Sequence, residues 1–459
     1  MDIPMNNTFR FVAAIVSAIA IGIGMMWFGA PARAVEIQRI ISPGGIEIWY
    51  VHEPSLPIIA VEIAFENAGN SSLPEGKQGL ANMVSSLLDE GAGDMESLAF
   101  QRRMDELSIS MRASDNADTF RMSLRTLSDV RDGAFELLGL ALTAPRFDAV
   151  PVERMRAGIL SDLNRRINDP DYLLGIAWLK TAYPGHVYGR PSRGTIEIVE
   201  GFTQEDFRDF VATRFTKDRL KVGAVGDVDG AEISRLIDAA LGGLPATGPA
   251  FEVTRVDPID GPAFQVIRQD IPQSSIIWGT TGLMREDPDY YAGVIMNTVL
   301  GGASFISRMW QSVREDRGLA YSVGTGISPM AETSYFTGGV ATRNDQVAEA
   351  YAIIEAEMQR MAEEGVSDQE LADAKSYSIG NFALGLDTNS SIARVLVGLQ
   401  VAELDIDYID KRAGYINAVT KADVLRVARR IFWGDGNATS GTLRMITTIV
   451  GDPVGFEDK

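Results

Sequence analysis

The sequence predicts an α+β fold made of two similar halves, because the same order of local signals occurs twice. Thr203 to Asp206 opens a helix, and the strand that follows this helix ends in Gly226. Thr420 to Asp423 opens a second helix of the same kind, and its following strand ends in Gly451. The two helix starts lie 217 residues apart and the two strand ends lie 225 residues apart. Similar offsets in the same order indicate an internal duplication.

Each half also begins with residues that alternate between apolar and polar. The first half has such runs at 46–50 and 58–65, and the second half at 263–268 and 275–280. Helical periodicity follows, and further strands come later in each half. This order predicts two homologous halves, each a mixed β-sheet covered by helices.

The boundary between the halves is predicted from composition. Residues 242–262 are rich in Gly, Pro and Ala and have no helical or strand periodicity. We therefore expect an N-terminal domain at 35–243, a linker at 244–262 and a C-terminal domain at 263–459.

The start of the chain is typical of an export signal, predicted over residues 1–34. Arg10 precedes an almost wholly apolar run, 11–30, and Ala32-Arg33-Ala34 offers small residues for cleavage. The prediction is a periplasmic protein. The apolar run is also long enough to span a bilayer, so an inner-membrane anchor formed by residues 11–30 is the alternative.

Composition excludes several classes of function. The formal net charge of −20 and the lack of any basic stripe argue against nucleic-acid binding. The sequence contains 0 Cys, which excludes disulfides and thiolate metal sites. Only two histidines are present, His52 and His186, and they are too far apart to form a helical ligand pair. A single loop histidine such as His186 is more often a surface residue than a ligand.

Residues 307–323 are the most specific stretch of the chain. They predict a helix over 307–316, a stop at Gly318 and a strand that carries Tyr321. The stretch resembles the second half of the pitrilysin/insulinase-like zinc metallopeptidases, in which an Arg and a Tyr seven residues later reach the active site. Arg314 and Tyr321 have that spacing. The resemblance implies a clamshell fold, like that of LuxS and the processing peptidases, and a pair that stabilises the oxyanion of the substrate.

The first half lacks the zinc motif of that family. A helix is predicted over 78–89, and its sequence Gly-Leu-Ala-Asn-Met-Val-Ser-Ser aligns with the family pattern Gly-Leu-Ala-His-x-x-Glu-His. Asn82, Ser85 and Ser86 thus occupy the positions of the first ligand, the base and the second ligand. The resemblance places the third ligand near Asp162. Neutral amide and hydroxyl groups are poor zinc ligands and weak bases, so we expect this chain to bind no metal.

The resemblance, taken with the missing zinc motif, implies a non-catalytic subunit of a two-chain periplasmic zinc peptidase, which we expect to be inactive alone. A partner carrying His-x-x-Glu-His would supply the zinc, while this chain would help bind a peptide or unfolded polypeptide and contribute Arg314 and Tyr321. One alternative is a peptide-binding or structural scaffold with the same fold, like the core subunits of the respiratory complex. Another is an enzyme with an unconventional centre, which the shortage of His and Cys disfavours.

Overall fold

The computed structural model describes residues 36–456. The chain from Ile37 onward belongs to one compact unit. The predicted export signal at 1–34 lies outside the described residues. Among the helices of residues 36–456, none combines the length and the apolar content that crossing a membrane requires.

The first half is built on a mixed sheet of six strands. The strands of this half are β1 Gln38–Ile41, β2 Glu47–His52, β3 Ile58–Glu66, β4 Gly91–Ala92, β5 Met95–Glu96, β6 Ser110–Asp115, β7 Thr119–Leu127 and β8 Leu220–Gly226. Six of them pair in the order β1-β2-β8-β3-β7-β6, while β4 and β5 form a small separate ribbon. The β2–β8 pair is parallel and the other pairs are antiparallel.

The second half has a mixed sheet of five strands. These are β9 Ala263–Arg268, β10 Gln273–Thr281, β11 Ala320–Pro329, β12 Ser334–Arg343 and β13 Ile446–Gly451. Their order is β11-β12-β10-β13-β9, and β13 and β9 form the parallel pair. The predicted α+β class, with one mixed sheet in each half, is confirmed.

Helices cover both sheets. Those of the first half are α1 Leu80–Ser85, α2 Ser97–Glu106, α3 Arg131–Thr143, α4 Ala149–Arg166, α5 Pro170–Ala182, α6 Ile196–Glu200, α7 Gln204–Arg214 and α8 Gly230–Leu241. Those of the second half are α9 Tyr290–Asn297, α10 Val347–Glu364, α11 Asp368–Leu384, α12 Asn389–Val401, α13 Tyr408–Ala418 and α14 Lys421–Trp433. Two further segments, Thr298–Gly302 and Trp310–Glu315, are π-helical.

The duplicated helix starts are formed as the sequence predicts. Thr203 caps α7 and Thr420 caps α14, and each hydroxyl accepts a hydrogen bond from the backbone N–H of an Asp three residues later. The carboxylates of Asp206 and Asp423 accept in return from the backbone N–H of the capping Thr. A cap of this kind contributes about 1 kcal/mol to helix stability. The two halves therefore repeat in local chemistry as well as in order.

One helix of each half packs against the sheet of the other half. Helix α5 packs on β10 and β13, while α12 packs on β3 and β8. Trp178 of α5 donates a hydrogen bond from Nε1 to the Ile446 carbonyl at 3.0 Å. Gln400 of α12 donates from Nε2 to the Val222 carbonyl at 2.9 Å. This reciprocal exchange joins the two halves through buried contacts rather than through a flexible connection alone.

Glycines allow these exchanged helices to approach the sheets closely. A Cβ at Gly223 in β8 would lie 2.6 Å from the Ala393 carbonyl oxygen of α12. A Cβ at Gly279 in β10 would lie 2.6 Å from Cζ2 of Trp178. Both distances are too short for non-bonded contacts, so a larger residue at either position would push the exchanged helix away from its sheet.

The segment between the halves has neither helix nor strand from residue 242 to residue 262. Its backbone is nevertheless held at several points: the Val256 N–H donates to the Glu332 carbonyl at 3.0 Å, and the Ile259 N–H donates to the Ala182 carbonyl at 2.9 Å. The division at 244–262 stays a prediction, since one compact unit contains both halves.

Candidate functional site

The helix that would carry a zinc motif is short. The predicted helix over 78–89 is observed only as α1, Leu80–Ser85, and the residues after it form turns. Gly79 before α1 has a φ of 87°, and a Cβ there would lie 2.4 Å from the Arg193 carbonyl oxygen. A glycine is therefore required where this helix begins beside the 190–194 loop.

The three positions on α1 are committed to local hydrogen bonds. Asn82 donates from Nδ2 to Asp115 of β6 at 3.3 Å. The hydroxyls of Ser85 and Ser86 donate to the carbonyls of Asn82 and Met83, at 2.8 and 2.7 Å. Burial raises the pKa of the Asp115 carboxyl, and the hydrogen bond from Asn82 partly opposes that shift. The three neutral side chains were identified from the sequence, but the contact between Asn82 and the Asp115 carboxyl was not predicted.

Asp162, the predicted third position, is surrounded by arginines. Its carboxylate accepts a hydrogen bond from Arg166 Nε at 2.6 Å and is also bonded by Arg165, while Arg193 lies 3.7 Å away. The hydrogen bond from Arg166 is the main reason that the pKa of Asp162 is below its ordinary value. The sequence signal for this arrangement was Arg at i+3 and i+4 on the same helix.

These side chains do not fit a zinc ion. An amide, two hydroxyls that already donate to carbonyls and a carboxylate neutralised by arginines offer no imidazole or thiolate donor. Within residues 36–456, no three His, Asp or Glu side chains come together in a way that could hold a metal. The structure brings Asn82 and Asp162 into one neighbourhood, linked through Asp115 and Arg193, but that neighbourhood is an ion-pair and hydrogen-bond network.

The two histidines lie elsewhere. His52 ends β2 and is exposed. His186 Nδ1 accepts from the Tyr188 backbone N–H at 3.3 Å, so its Nε2 carries the proton and donates to the Thr254 carbonyl at 3.0 Å. His186 thus ties its own loop to the segment between the halves.

Arg314 and Tyr321 are brought together on the second half. The Arg314 guanidinium carbon lies 4.8 Å from the centre of the Tyr321 ring and 4.1 Å from the centre of the Trp310 ring. Phe305 extends the group, because its ring centre is 4.6 Å from that of Trp310. We call Phe305, Trp310, Arg314 and Tyr321 the aromatic–arginine stack.

The local backbone explains why this stack faces outward. Residues Trp310–Glu315 are π-helical, and the segment ends where Gly318, with a φ of 62°, donates its N–H to the Arg314 carbonyl at 2.9 Å. The predicted stop at Gly318 is therefore present. A β-bulge between Ala320 and Val323 follows, and Tyr321 lies within it. π-Helical turns and bulges often re-aim side chains at functional sites.

The stack presents a cation and a phenol to solvent. The Tyr321 side chain is 84% exposed, and its hydroxyl has no hydrogen-bond partner within residues 36–456. Arg314 is half-buried, and apart from its ring contacts its one charged partner within residues 36–456 is the adjacent Glu315, at a long 3.7 Å. Both groups remain able to bind an oxygen-bearing ligand. The part played by Trp310 as the platform under Arg314 was not predicted, although its i, i+4 spacing from Arg314 was a visible signal.

The fold and this site resemble those of the clamshell metallopeptidases, but Asn82, Ser85 and Ser86 stand where those enzymes have metal ligands and a base. Residues 201–377 match the Peptidase M16 inactive domain. A Helicobacter pylori protein named non-peptidase homolog YmxG is 25% identical over 367 residues, covering 80% of this chain and 84% of that protein. An uncharacterized zinc protease of Streptomyces coelicolor is 27% identical over 401 residues, covering 86% of this chain and 87% of the relative.

A solved structure has the same fold. The crystal structure of a peptidase M16 inactive domain from Pseudomonas fluorescens superposes with a TM-score of 0.83 at 23% identity, covering 92% of this chain and 99% of that chain. The resemblance drawn from Arg314, Tyr321 and the altered zinc motif is confirmed, because residues 201–377 match the inactive domain of the M16 peptidases and most of the chain is similar to proteins named after them.

Proposed function

We propose that this chain is the non-catalytic subunit of a two-chain periplasmic zinc peptidase. It would pair with a subunit that carries His-x-x-Glu-His, help to bind an unfolded peptide and complete the partner's active site with Arg314 and Tyr321. The observation that carries the proposal is the exposed, stacked Arg314–Tyr321 pair on a chain whose own zinc positions cannot hold a metal.

The geometry supports a role in stabilising developing negative charge. The π-helical turn and the bulge fix the positions of Arg314 and Tyr321, so little reorganisation is needed when a substrate carbonyl becomes an oxyanion. A preoriented cation and a phenol O–H directed at such an oxygen can each contribute about 3 kcal/mol to the transition state. The Tyr321 ring is held against the guanidinium, which leaves its hydroxyl free to donate.

The division of labour follows from the donor sets. Zinc, the general base and the attacking water require imidazole and carboxylate groups, which the partner would provide. This chain would provide the groups opposite the metal and part of the peptide chamber. Export by residues 1–34 would place this chain in the periplasm, where it would meet the zinc subunit; an inner-membrane anchor at 11–30 is the other arrangement.

Reconstitution tests the proposal directly. We expect this chain and the zinc subunit to be inactive separately and to cleave an unfolded peptide when mixed. Tyr321→Phe removes one hydroxyl and should lower turnover roughly 10²-fold without weakening association of the subunits. Turnover and association are measured on the same samples, by peptide cleavage and by analytical ultracentrifugation.

Tyr377→Phe is the matched control. Tyr377 is 38% exposed and its hydroxyl has no hydrogen-bond partner within residues 36–456, so its removal should leave turnover unchanged. Normal assembly with full activity for Tyr321→Phe would show that the pair has no catalytic part. Association without any gain of peptidase activity would instead support the scaffold alternative.

A further inference from the structure

A small cavity on the first half concentrates positive charge that the proposed function does not use. It has a volume of about 220 Å³ and lies between β3, β6, β7 and the start of α12. Its polar lining consists mainly of three arginines and three serines: Arg112, Arg125, Arg394, Ser110, Ser123 and Ser390. The sequence alone gave no sign of it, because the residues come from three separate parts of the chain.

Strand register explains how these residues converge. Arg112 of β6 is paired with Ser123 of β7, and Ser110 of β6 is paired with Arg125 of β7. Residues two apart on a strand share a face, so these four side chains lie on one side of the sheet. Arg394 lies beside them on α12, the helix of the second half that packs on this sheet.

The arginines of the cavity lack the partners that most other arginines have. Arg121, beside them on β7, lies 3.6 Å from Glu62, the one carboxylate in the lining. Within residues 36–456, the guanidinium groups of Arg112 and Arg125 have no hydrogen bond or ion pair, and Arg394 has only a longer-range electrostatic attraction to Glu62. Grouped like charges repel one another, and this grouping occurs in a chain with a formal net charge of −20. An anionic ligand would offset that repulsion.

Helix α12 adds to the positive potential. Its N-terminal cap is Thr388, so Ser390 stands in the first turn of a 13-residue helix. The free N–H groups and the dipole at a helix N-terminus favour an anion. Guanidinium groups bind carboxylates through two parallel hydrogen bonds, and serine hydroxyls can donate to the remaining oxygen atoms.

We propose that this pocket, formed by Arg112, Arg125 and Arg394, binds a carboxylate of an acidic peptide segment. The carboxylate comes from an Asp or Glu side chain or from a peptide C-terminus. The substrate class, acidic unfolded peptides, rests on the proposed function, whereas the binding itself belongs to this chain alone. The pocket thereby selects which peptides are held beside the partner's active site.

The test measures binding of fluorescent peptides to the purified chain without a partner. One peptide contains several Asp and Glu residues, and its twin carries Asn and Gln at the same places. We expect the acidic peptide to bind roughly tenfold tighter, and the double substitution Arg112→Gln with Arg394→Gln to remove that advantage. Amidation of the peptide C-terminus separates its contribution from that of the side chains.

Arg102→Gln with Arg208→Gln is the matched control, since both arginines are exposed, are without a partner within residues 36–456 and lie outside this pocket. It removes the same charge and should change the affinity less than twofold. Equal losses in both double variants, or no preference for the acidic peptide, would overturn the proposal. So would inorganic phosphate that saturates the chain at concentrations where the acidic peptide does not bind. If the double variant does not fold, Arg394→Gln alone gives the same comparison.

The two proposals fail in different experiments. A preference for acidic peptides that depends on Arg112 and Arg394 stands even if Tyr321→Phe leaves the reconstituted turnover unchanged. A mixture whose activity depends on Tyr321 but not on peptide charge leaves the proposed function intact and removes the pocket.

Discussion

In each half an equivalent turn leads into a strand, but the side chain three residues after the turn is buried in the first half and exposed in the second. Ser108 and Gly318 both have left-handed backbone, with φ angles of 52° and 62°. Three residues later, Met111 is 5% exposed in the first half, whereas Tyr321 is 84% exposed in the second. The second half reaches a buried strand position again only at Val323, two residues further along.

The extra residues account for the difference. In the first half, β6 pairs with β7 in continuous register from Ser110 to Asp115. In the second half, the π-helical turn and the bulge lengthen the path between helix and strand, and the bulge places Tyr321 outside the regular alternation. The same scaffold thus serves as core in one half and as a candidate site in the other.

The largest expected effect is a difference in the free energy of unfolding between substitutions at Met111 and at Tyr321. Met111→Ala leaves a cavity in the first core and should lower the free energy of unfolding by about 2–4 kcal/mol. Tyr321→Ala removes an exposed ring and should cost less than about 1 kcal/mol. Chemical denaturation of both variants measures the difference. Similar losses would mean that Tyr321 is a structural residue like Met111.

An ion pair distinguishes the second turn from the first. Arg308, ten residues before Gly318, is 9% exposed and binds Glu370 with two hydrogen bonds of 2.6 and 2.8 Å. Its counterpart ten residues before Ser108 is Leu98, which is exposed. The hydrogen bonds from Arg308 are the main cause that lowers the pKa of Glu370 to about 2.

This pair predicts a loss of stability in acid. A carboxyl whose folded pKa lies below its unfolded value stabilises the fold fully above the unfolded pKa, and that contribution disappears as pH falls from about 4.5 towards 2. We expect a contribution on the order of 2–3 kcal/mol, measured by denaturation at several pH values. Glu370→Gln should reduce this pH dependence, and Glu364→Gln, an exposed carboxylate, should not. An unchanged acid profile in Glu370→Gln would contradict the assignment.

The smallest expected effects test the two left-handed residues themselves. Ser108→Gly should stabilise the protein by about 0.5–1 kcal/mol, because glycine adopts positive φ without a steric penalty. Gly318→Ser should destabilise it by about 1 kcal/mol for the same reason. Thermal unfolding of the two single variants provides the measurement. Shifts of the same sign would show that the two turns are not equivalent.

Much of the fold could be predicted because it depends on local signals. The capping pairs at Thr203 and Thr420, the stop at Gly318 and the alternating strands are properties of residues close together in the sequence. The inability of the motif positions to bind zinc could also be predicted from the sequence, because the side chains of Asn82, Ser85 and Ser86 are poor zinc ligands in any fold. The helix around Asn82 was predicted too long, because the turns after Ser85 depend on contacts with other segments.

The candidate site was only partly predictable. The spacing of Arg314 and Tyr321 was readable, yet their roles in catalysis stay a proposal. The exposure of Tyr321 depends on a bulge, and a bulge is set by pairing with β12 rather than by the sequence of β11 alone. Only some neighbours of Asp162 could be predicted from the sequence. Arg165 and Arg166 are on its own helix at i+3 and i+4, whereas Arg193 comes from a later loop.

The sequence by itself determined the duplication, the α+β class and the absence of zinc-binding side chains at Asn82, Ser85 and Ser86. These depend on residue type and on short-range periodicity. Only the tertiary structure decided the exchange of α5 and α12 and the gathering of Arg112, Arg125 and Arg394 around one pocket. Such features bring together segments that are far apart along the chain. They are determined by long-range packing and strand register, which local sequence patterns do not specify.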